Sequence, residues 1–507
     1  MSLLGIDVGT TGCKAAVFSE EGSLLASAYE EYDILRPQPG WAELDARDVW
    51  DKVRATVRQV SAASSSDPIQ ALAVSSLGEA MVPVTASRKI AGTSIVANFD
   101  LRGDQYLDPL RTGLDEEALY RITGNTLGGN YSLPKLLWIK QHQPDLYQCT
   151  DKFLLWGGFV SYMLGSSPAV DFSLANRSLL FDVDREDWSQ EILELAGLDS
   201  TKLPETVPSG TAIGTVSRHM AAELGLPPGT AIVAGAHDQC ATAVGCGVVE
   251  DGQAVYGMGT FTCITPVFSQ RRAPSLMLER GLNTEHHAVP GKYVSFIYNP
   301  GGSLVKWFRD TLAAGAHAGH DVYGALLAEM PPDPSGIMVL PHFAPTGPPG
   351  FVSDSTGLLA GLRLETSRGE ILKGILEGIS FYLRECVDAL PPTGIEIAGF
   401  RVAGGGSRSD RWVQLCADIF GQRFVRPSVA QAGTLGAAII AAVGSGLYPT
   451  FAAAVEAMVR LDRAFEPDPH QHRLYAGWYE LYKELWPTTA GYLRALASKQ
   501  ASRALHG

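Results

Sequence analysis

Apolar positions along this chain keep two rhythms. Leu3–Val8 is an unbroken apolar run closed by Gly9-Thr10-Thr11-Gly12; Lys14–Phe18 follows, and Glu20-Glu21-Gly22 turns the chain into Ser23–Ala28. Short apolar runs between glycine turns predict a β-meander. The unit returns as Ala254–Met258, Gly259-Thr260-Phe261-Thr262 and Cys263–Val267, and both copies read Gly-Thr-x-x-Cys. Five residues are a weak echo alone, but a recurrence at half the chain length predicts two domains of similar topology. Elsewhere the rhythm is helical. Val49, Trp50, Val53, Val57 and Val60 follow a capping Asp45, and Ile371, Leu372, Ile375, Leu376, Ile379 and Leu383 follow a capping Ser367. Arg411–Phe420 and Leu435–Val443 are predicted helices, and Ile69–Ser75 a short buried strand. Strands alternating with helices predict an α/β class. Pro341–Gly350 reads as a loop and Leu226–Gly229 as a turn near the domain junction, which is placed at 247, giving domains 1–247 and 248–507.

Composition narrows the choices. The 507 residues exceed the roughly 250–300 that one core accommodates, and 46% hydrophobic with 19% charged residues describes a globular chain. Forty Lys and Arg against 54 Asp and Glu leave a net charge of −14, which excludes nucleic acid and anionic membrane as main partners. A basic pocket for one small anion stays open. Seven scattered cysteines form no CxxC pair and predict free thiols in a reducing compartment. No apolar run approaches the roughly 18 residues a membrane span needs, and Lys14 is the first cation, so the expectation is a soluble cytoplasmic protein.

Candidate chemistry sits where strands end. Asp7 closes a strand before a Gly-Thr-Thr hairpin whose amides and hydroxyls can wrap phosphate oxygens, with Lys14 adding charge; Asp7 can hold Mg²⁺ through water. The plain alternative is an ordinary hairpin, and neither GxxxxGK[ST] nor GxGxxG occurs. Asp238 follows the apolar strand Ala231–Ala234 and opens a helix, as a general base or an N-cap; His237 beside it is a base or a packed ring. Gly404-Gly405-Gly406 lets a ring or ribose approach the backbone, or is a flexible turn. Gly301-Gly302-Ser303 offers amides to phosphate, or is a plain turn. Glu79, after Gly78, is a polyol partner or a solvated carboxylate, and Asp100 with Arg102 reads as a surface ion pair.

In order and spacing these pieces resemble the FGGY carbohydrate kinases over nearly the whole chain. Besides Asp7–Thr11 and Asp238-Gln239, the resemblance rests on Ser132-Leu133-Pro134-Lys135 with Trp138, on Asp171-Phe172-Ser173-Leu174-Ala175-Asn176-Arg177, on Gly357–Leu362 with Glu370 and Glu377, and on Gly433–Ala438. It implies two actin-like (ribonuclease-H-like) domains around a nucleotide cleft, and transfer of a phosphoryl group from ATP, with Mg²⁺, to a sugar or polyol. Carried over residue by residue, it implies Asp238 as catalytic base and Asp7 at the metal. Gly78, Glu79, Asp100, Asn130, Tyr131 and Gln239 fall at the sugar. Thr10, Thr11, Lys14, Gly259, Thr260 and Gly302 fall at the phosphates, and Gly405, Gly406 and Ser409 at the nucleoside. The chain departs from the family at Asn98, where a Trp is usual, at Gln431, and in the loop Ala344–Pro349. Gly78-Glu79 is neither the Arg-Glu pair of glycerol kinases nor the Met-His pair of xylulokinases. A ketose such as xylulose is the expected acceptor, glycerol being disfavoured for want of that Arg; fuculose-like sugars and tetritols stay open. An actin- or Hsp70-like ATPase without a small acceptor is the competing class, a sugar-sensing family member a weaker third reading, and a second copy of the chain an allowed partner.

Overall fold

The first strand, β1 (Ser2–Val8), turns into β2 (Gly12–Ser19) and then β3 (Leu24–Glu31), all antiparallel. Asp45 starts helix α1 (Ala46–Ala63) by accepting the amides of Arg47 and Asp48, and the helix buries Val49, Trp50, Val53, Val57 and Val60, as their spacing predicts. It returns the chain to β4 (Ile69–Ser76), parallel to β1. An excursion of helices and short strands follows, including α2 (Ser132–His142) and the single turn α3 (Phe172–Asn176). Strands β5 (Ala212–Thr215) and β6 (Ala231–His237) complete a six-stranded sheet ordered β5-β6-β4-β1-β2-β3, and α4 (Asp238–Gly245) leaves from the end of β6. This computed structural model describes residues 1–96, 100–313, 321–347 and 351–504.

The second half repeats that plan. Strands β7 (Gln253–Met258) and β8 (Thr262–Phe268) form an antiparallel hairpin through Gly259, and β9 (Glu285–His286), β10 (Tyr293–Val294) and β11 (Ile297–Asn299) extend it. Helices α5 (Gly301–Leu312) and α6 (Arg368–Asp388) precede β12 (Gly399–Ala403), which runs parallel to β7 as β4 does to β1. Then come α7 (Asp410–Phe420), β13 (Phe424–Pro427), α8 (Ala432–Gly444), β14 (Leu461–Phe465) and α9 (Pro469–Lys483). The sheet order is β9-β10-β8-β7-β12-β13-β14, with β11 on β8. The echo at Gly9 and Gly259 therefore marks two hairpins at matching places in two sheets of matching topology. The Leu226–Gly229 turn leads into β6, inside the first sheet; the link between the sheets is Cys246–Gly252.

One helix crosses over. α8, apolar all round, lies on the face of the first sheet and packs on α4. The approach is backbone to backbone: a Cβ on Gly436 would stand 1.8 Å from the Ala241 carbonyl oxygen, and one on Gly5 1.9 Å from that of Thr434. Only glycine fits there. Leu3, Ala71 and Val233 of the first sheet thus share a core with Leu435, Ile439 and Ile440 of the second half. Among the described residues no helix is long and apolar enough to cross a membrane, and all seven cysteines are unpaired.

Candidate active site

β1, β4 and β6 run parallel, so their carboxyl ends open on one edge of the sheet, the usual place for a ligand in such a sheet. That edge carries Asp7, Gly78-Glu79 and Asp238. Asp7 accepts a hydrogen bond from Ser75 Oγ at 2.8 Å and faces Lys14 across the hairpin. Burial raises its pKa, while Ser75 and Lys14 pull it down. The first turn of α8 comes up against it: a Cβ on Gly433 would lie 3.3 Å from Asp7 Oδ2.

Asp238 is the first residue of α4, and the helix start has no side-chain cap, so it is not the N-cap that its position allows. About a third of its side chain is open (33%), and His237 Nε2 lies 3.2 Å from Oδ1. Burial first, then the negative charges of Asp7 and Glu79, push its pKa up to about 7. A carboxylate tuned to neutral pH at a sheet edge suits proton abstraction. His237 itself is buried edge-on to Phe296, and burial keeps its ring neutral.

Glu79 is not solvated. Its side chain is 5% exposed and Arg177 Nε donates to Oε1 at 2.7 Å, with Nη2 on the same oxygen. Its backbone is left-handed (φ 59°), and Ser132 Oγ holds its carbonyl. Gly78 leaves room for the arginine, since a Cβ there would stand 2.9 Å from Arg177 Cγ. Arg177 Nη1 donates to Glu285 Oε1 at 2.5 Å, so one guanidinium joins a carboxylate of each half. Tyr131 and Phe296 lie against it with ring centroids at 5.3 and 5.7 Å.

The Asp171–Arg177 motif now has a mechanical reason. Asp171 caps α3 through the Leu174 amide and Ser173 Oγ, Ser173 Oγ accepts the His237 amide, and Arg177 leaves the end of that turn. Sequence reasoning missed Arg177, Glu285 and Phe296 as parts of the site. The signals were the absent side chain at Gly78 and, for Arg177, its place at the end of the Asp171–Arg177 motif.

Asp100 behaves otherwise than expected. It is wholly shielded rather than on the surface, and both its oxygens are taken by Arg102 and the Ala42 amide. Arg102 lies against both Trp41 and Trp138, whose rings meet edge to face, and Lys135 binds the Asp100 carbonyl. Asp100 is thus a buried pin of the fold with no oxygen left for a sugar. Lys135 and Trp138 of the α2 motif hold that pin. Tyr131 has its hydroxyl committed to Asn125 at 3.0 Å. Asn130 and Gln239 are half-buried. Asn98 and residues 348–349 lie outside the described residues.

In the second half three glycine-rich turns meet. Gly302 stacks on Gly259 so closely that a Cβ would fall 1.9 Å from its carbonyl oxygen, and the Ser303 amide bonds the Thr260 carbonyl. Gly404 (φ 88°) passes the Gly259 amide, where a Cβ would lie 3.1 Å away. The amides of Gly301 and Gly302 open α5, a natural anion seat. Gly405 is exposed, Gly406 lies over the Trp412 ring, and Ser409 caps α7 through the Trp412 amide. Thr10 is half-buried in the first hairpin, and Thr11 and Thr260 are exposed. Asp7 and Cys263, one from each hairpin, both sit within electrostatic reach of Asp238. Asp7 and Glu79 thus gather around Asp238, and Gly302 and Gly404 around Gly259.

Two halves of matching topology, each with a strand-end hairpin, define a two-domain actin-like fold. The chain belongs to the FGGY family of carbohydrate kinases: its N-terminal domain model matches residues 2–245 and its C-terminal domain model residues 267–445. It is 26% identical to a xylulose kinase of Staphylococcus epidermidis over 496 residues, covering 96% of this chain and 97% of that one. It is 30% identical to a glycerol kinase of Ectopseudomonas mendocina, covering 95% and 98%. The solved xylulose kinase of Rhodospirillum rubrum superposes with a TM-score of 0.86 at 26% identity, covering 97% of this chain and all of that one. The chain is thus an ATP-dependent sugar kinase, which sets aside an ATPase without a small acceptor.

Proposed function

We propose that this kinase phosphorylates a hydroxyl of a ketose such as xylulose, with Asp238 as the base. The observation that carries the assignment is the Asp238 carboxyl, tuned to about 7, in the field of Asp7 and Glu79. As the hydroxyl attacks the γ-phosphorus, Asp238 accepts its proton, and the transfer otherwise asks for positioning and charge stabilisation. Glu79, held by Arg177, together with Gln239 and Asn130, orients the acceptor. The hairpin residues Thr10, Thr11, Lys14, Gly259 and Thr260, with Gly302, hold the phosphates; Gly405, Gly406 and Ser409 face the nucleoside. Residues 1–247 then carry the acceptor and 248–507 the nucleotide. Seven unpaired thiols support a cytoplasmic setting.

Asp7 fits Mg²⁺. Asp7 raises the cost of ionising Asp238, and burial raises the pKa of Asp7 itself, which a cation beside it would offset; Mg²⁺ takes few carboxylates while keeping its waters. When bound, the ion neutralises charge on the phosphates; Asp7 would hold it.

Glycerol is a second reading with its own support. The glycerol kinase relative at 30% identity favours it, and Arg177 pairs with Glu79 from a distant position, although its nitrogens are bonded to protein carboxylates. A coupled ADP-release screen over ketoses, polyols and aldoses tests both readings: xylulose or a close ketose should give the highest kcat/KM, and glycerol in first place would replace it. Asp238→Asn should lower turnover on the best acceptor about 10²–10⁴-fold while ATP still binds by calorimetry. Near-normal turnover would overturn the base assignment.

A further inference from the structure

Each nitrogen of the Arg177 guanidinium is turned to a carboxylate of the protein. Nε and Nη2 go to Glu79 and Nη1 to Glu285, and the rings of Tyr131 and Phe296 lie near it. Asn283 Nδ2 holds the same Glu285 oxygen at 2.5 Å, while Glu285 Oε2 is buried without a partner. The triad Glu79–Arg177–Glu285 therefore sets two carboxyl groups against one guanidinium in a shielded place; burial raises the pKa of Glu285, while Arg177 and Asn283 pull it down. It stands within electrostatic reach of Asp238, on which Asp7 also acts. Lys14, the other cation here, acts on Asp7 at the hairpin. An acceptor bearing a carboxylate would meet a surplus of negative charge, and in Arg177 a guanidinium whose three nitrogens are already bonded to protein carboxylates. A neutral hydroxyl-rich acceptor meets acceptor oxygens suited to its O–H groups.

We infer that Arg177, neutralised by carboxylates from both halves, restricts the acceptor to neutral ketoses and polyols and excludes aldonates and uronates. The inference rests on the acceptor site proposed above. It also names Glu285, remote in sequence, as the residue that keeps the guanidinium from a substrate carboxylate.

The test compares matched neutral and acidic acceptors of equal length, such as xylulose or xylitol against xylonate, and a hexose against gluconate, by ADP release. In the unmodified enzyme kcat/KM for the acid should be at least about a hundredfold lower, the scale of a like charge set against a shielded charge. Glu285→Gln removes one charge and releases one arm of Arg177, and it should narrow that ratio at least about tenfold, mainly through KM for the acid. Glu79→Gln releases the other two arms and should narrow it as well, on a lower neutral activity. Arg177→Met should weaken neutral acceptors and gain no acid activity. An unmodified enzyme that prefers the acid, or folded, ATP-binding Glu variants with an unchanged ratio, overturns the inference alone. If neither variant folds, the ratio in the unmodified enzyme still decides it. Transfer to neither kind of acceptor, with ATP bound, overturns the acceptor site itself, and the inference with it.

Discussion

Asp238 carries a stability cost that its role explains. Its carboxyl titrates near 7 in the folded chain and at the ordinary 3.8 when unfolded. The folded state thus holds more protons between those values, and this group's contribution makes stability fall as pH rises from about 4 to about 7. Asp238→Asn should cancel that fall, so that the variant melts above the unmodified enzyme at pH 8 and close to it at pH 4 in scanning calorimetry. In kinetics the sign reverses, because the base must be ionised. kcat/KM should climb roughly tenfold per pH unit below about 7 and level off above it. A flat profile from pH 5 to 8 would remove Asp238 from the proton transfer. At this scale the sequence was legible where chemistry and turn are neighbours, as at Asp7, Asp238 and the glycine turns. It was not legible where a partner comes from far away. Nothing local pairs Glu79 with Arg177 and Glu285, or lays Arg102 against Trp41 and Trp138.

Elements were legible wherever a cap and a stripe coincide. Ser367 and Glu370 form a full capping box at the start of α6, and Asp45 caps α1. Tertiary ties are less visible. Within α6, Glu377 is buried and its pKa is pushed up to about 7, while it accepts from Ser335 and from Tyr475 of α9. Glu377→Ala leaves those donors unmet and should cost about 2–4 kcal/mol of stability in urea unfolding, with the acceptor ratio unchanged. Leu435–Val443 reads as a helix from its sequence, but its destination on the other half's sheet does not. The hint was that it is apolar on all sides, as a helix covered on two faces must be. Gly436→Ala puts a methyl into the Ala241 carbonyl at that crossing and should cost about 1–3 kcal/mol. A stability equal to the unmodified chain would mean that the two helices can part without penalty.

On the scale of the molecule, the doubling seen in ten residues extends to two whole sheets, because each half needs a hairpin and a parallel trio to present its edge to the other. The halves are not independent. Residues 1–247 alone lack α8 and expose Leu3, Ala71 and Val233. That fragment should bind the dye ANS and unfold without a sharp transition, and adding residues 248–507 should reduce the dye signal. A fragment that melts cooperatively by itself would contradict the shared core.

The crossing of α8 also sets an order of events during translation. Once Gly245 has left the ribosome, the sheet face beneath α8 stays uncovered until Ala432–Gly444 is made, roughly 10–40 s later at the usual pace of synthesis. Through that interval the nascent chain is a client for holdase chaperones, and slow codons between the two helices would lengthen its exposure.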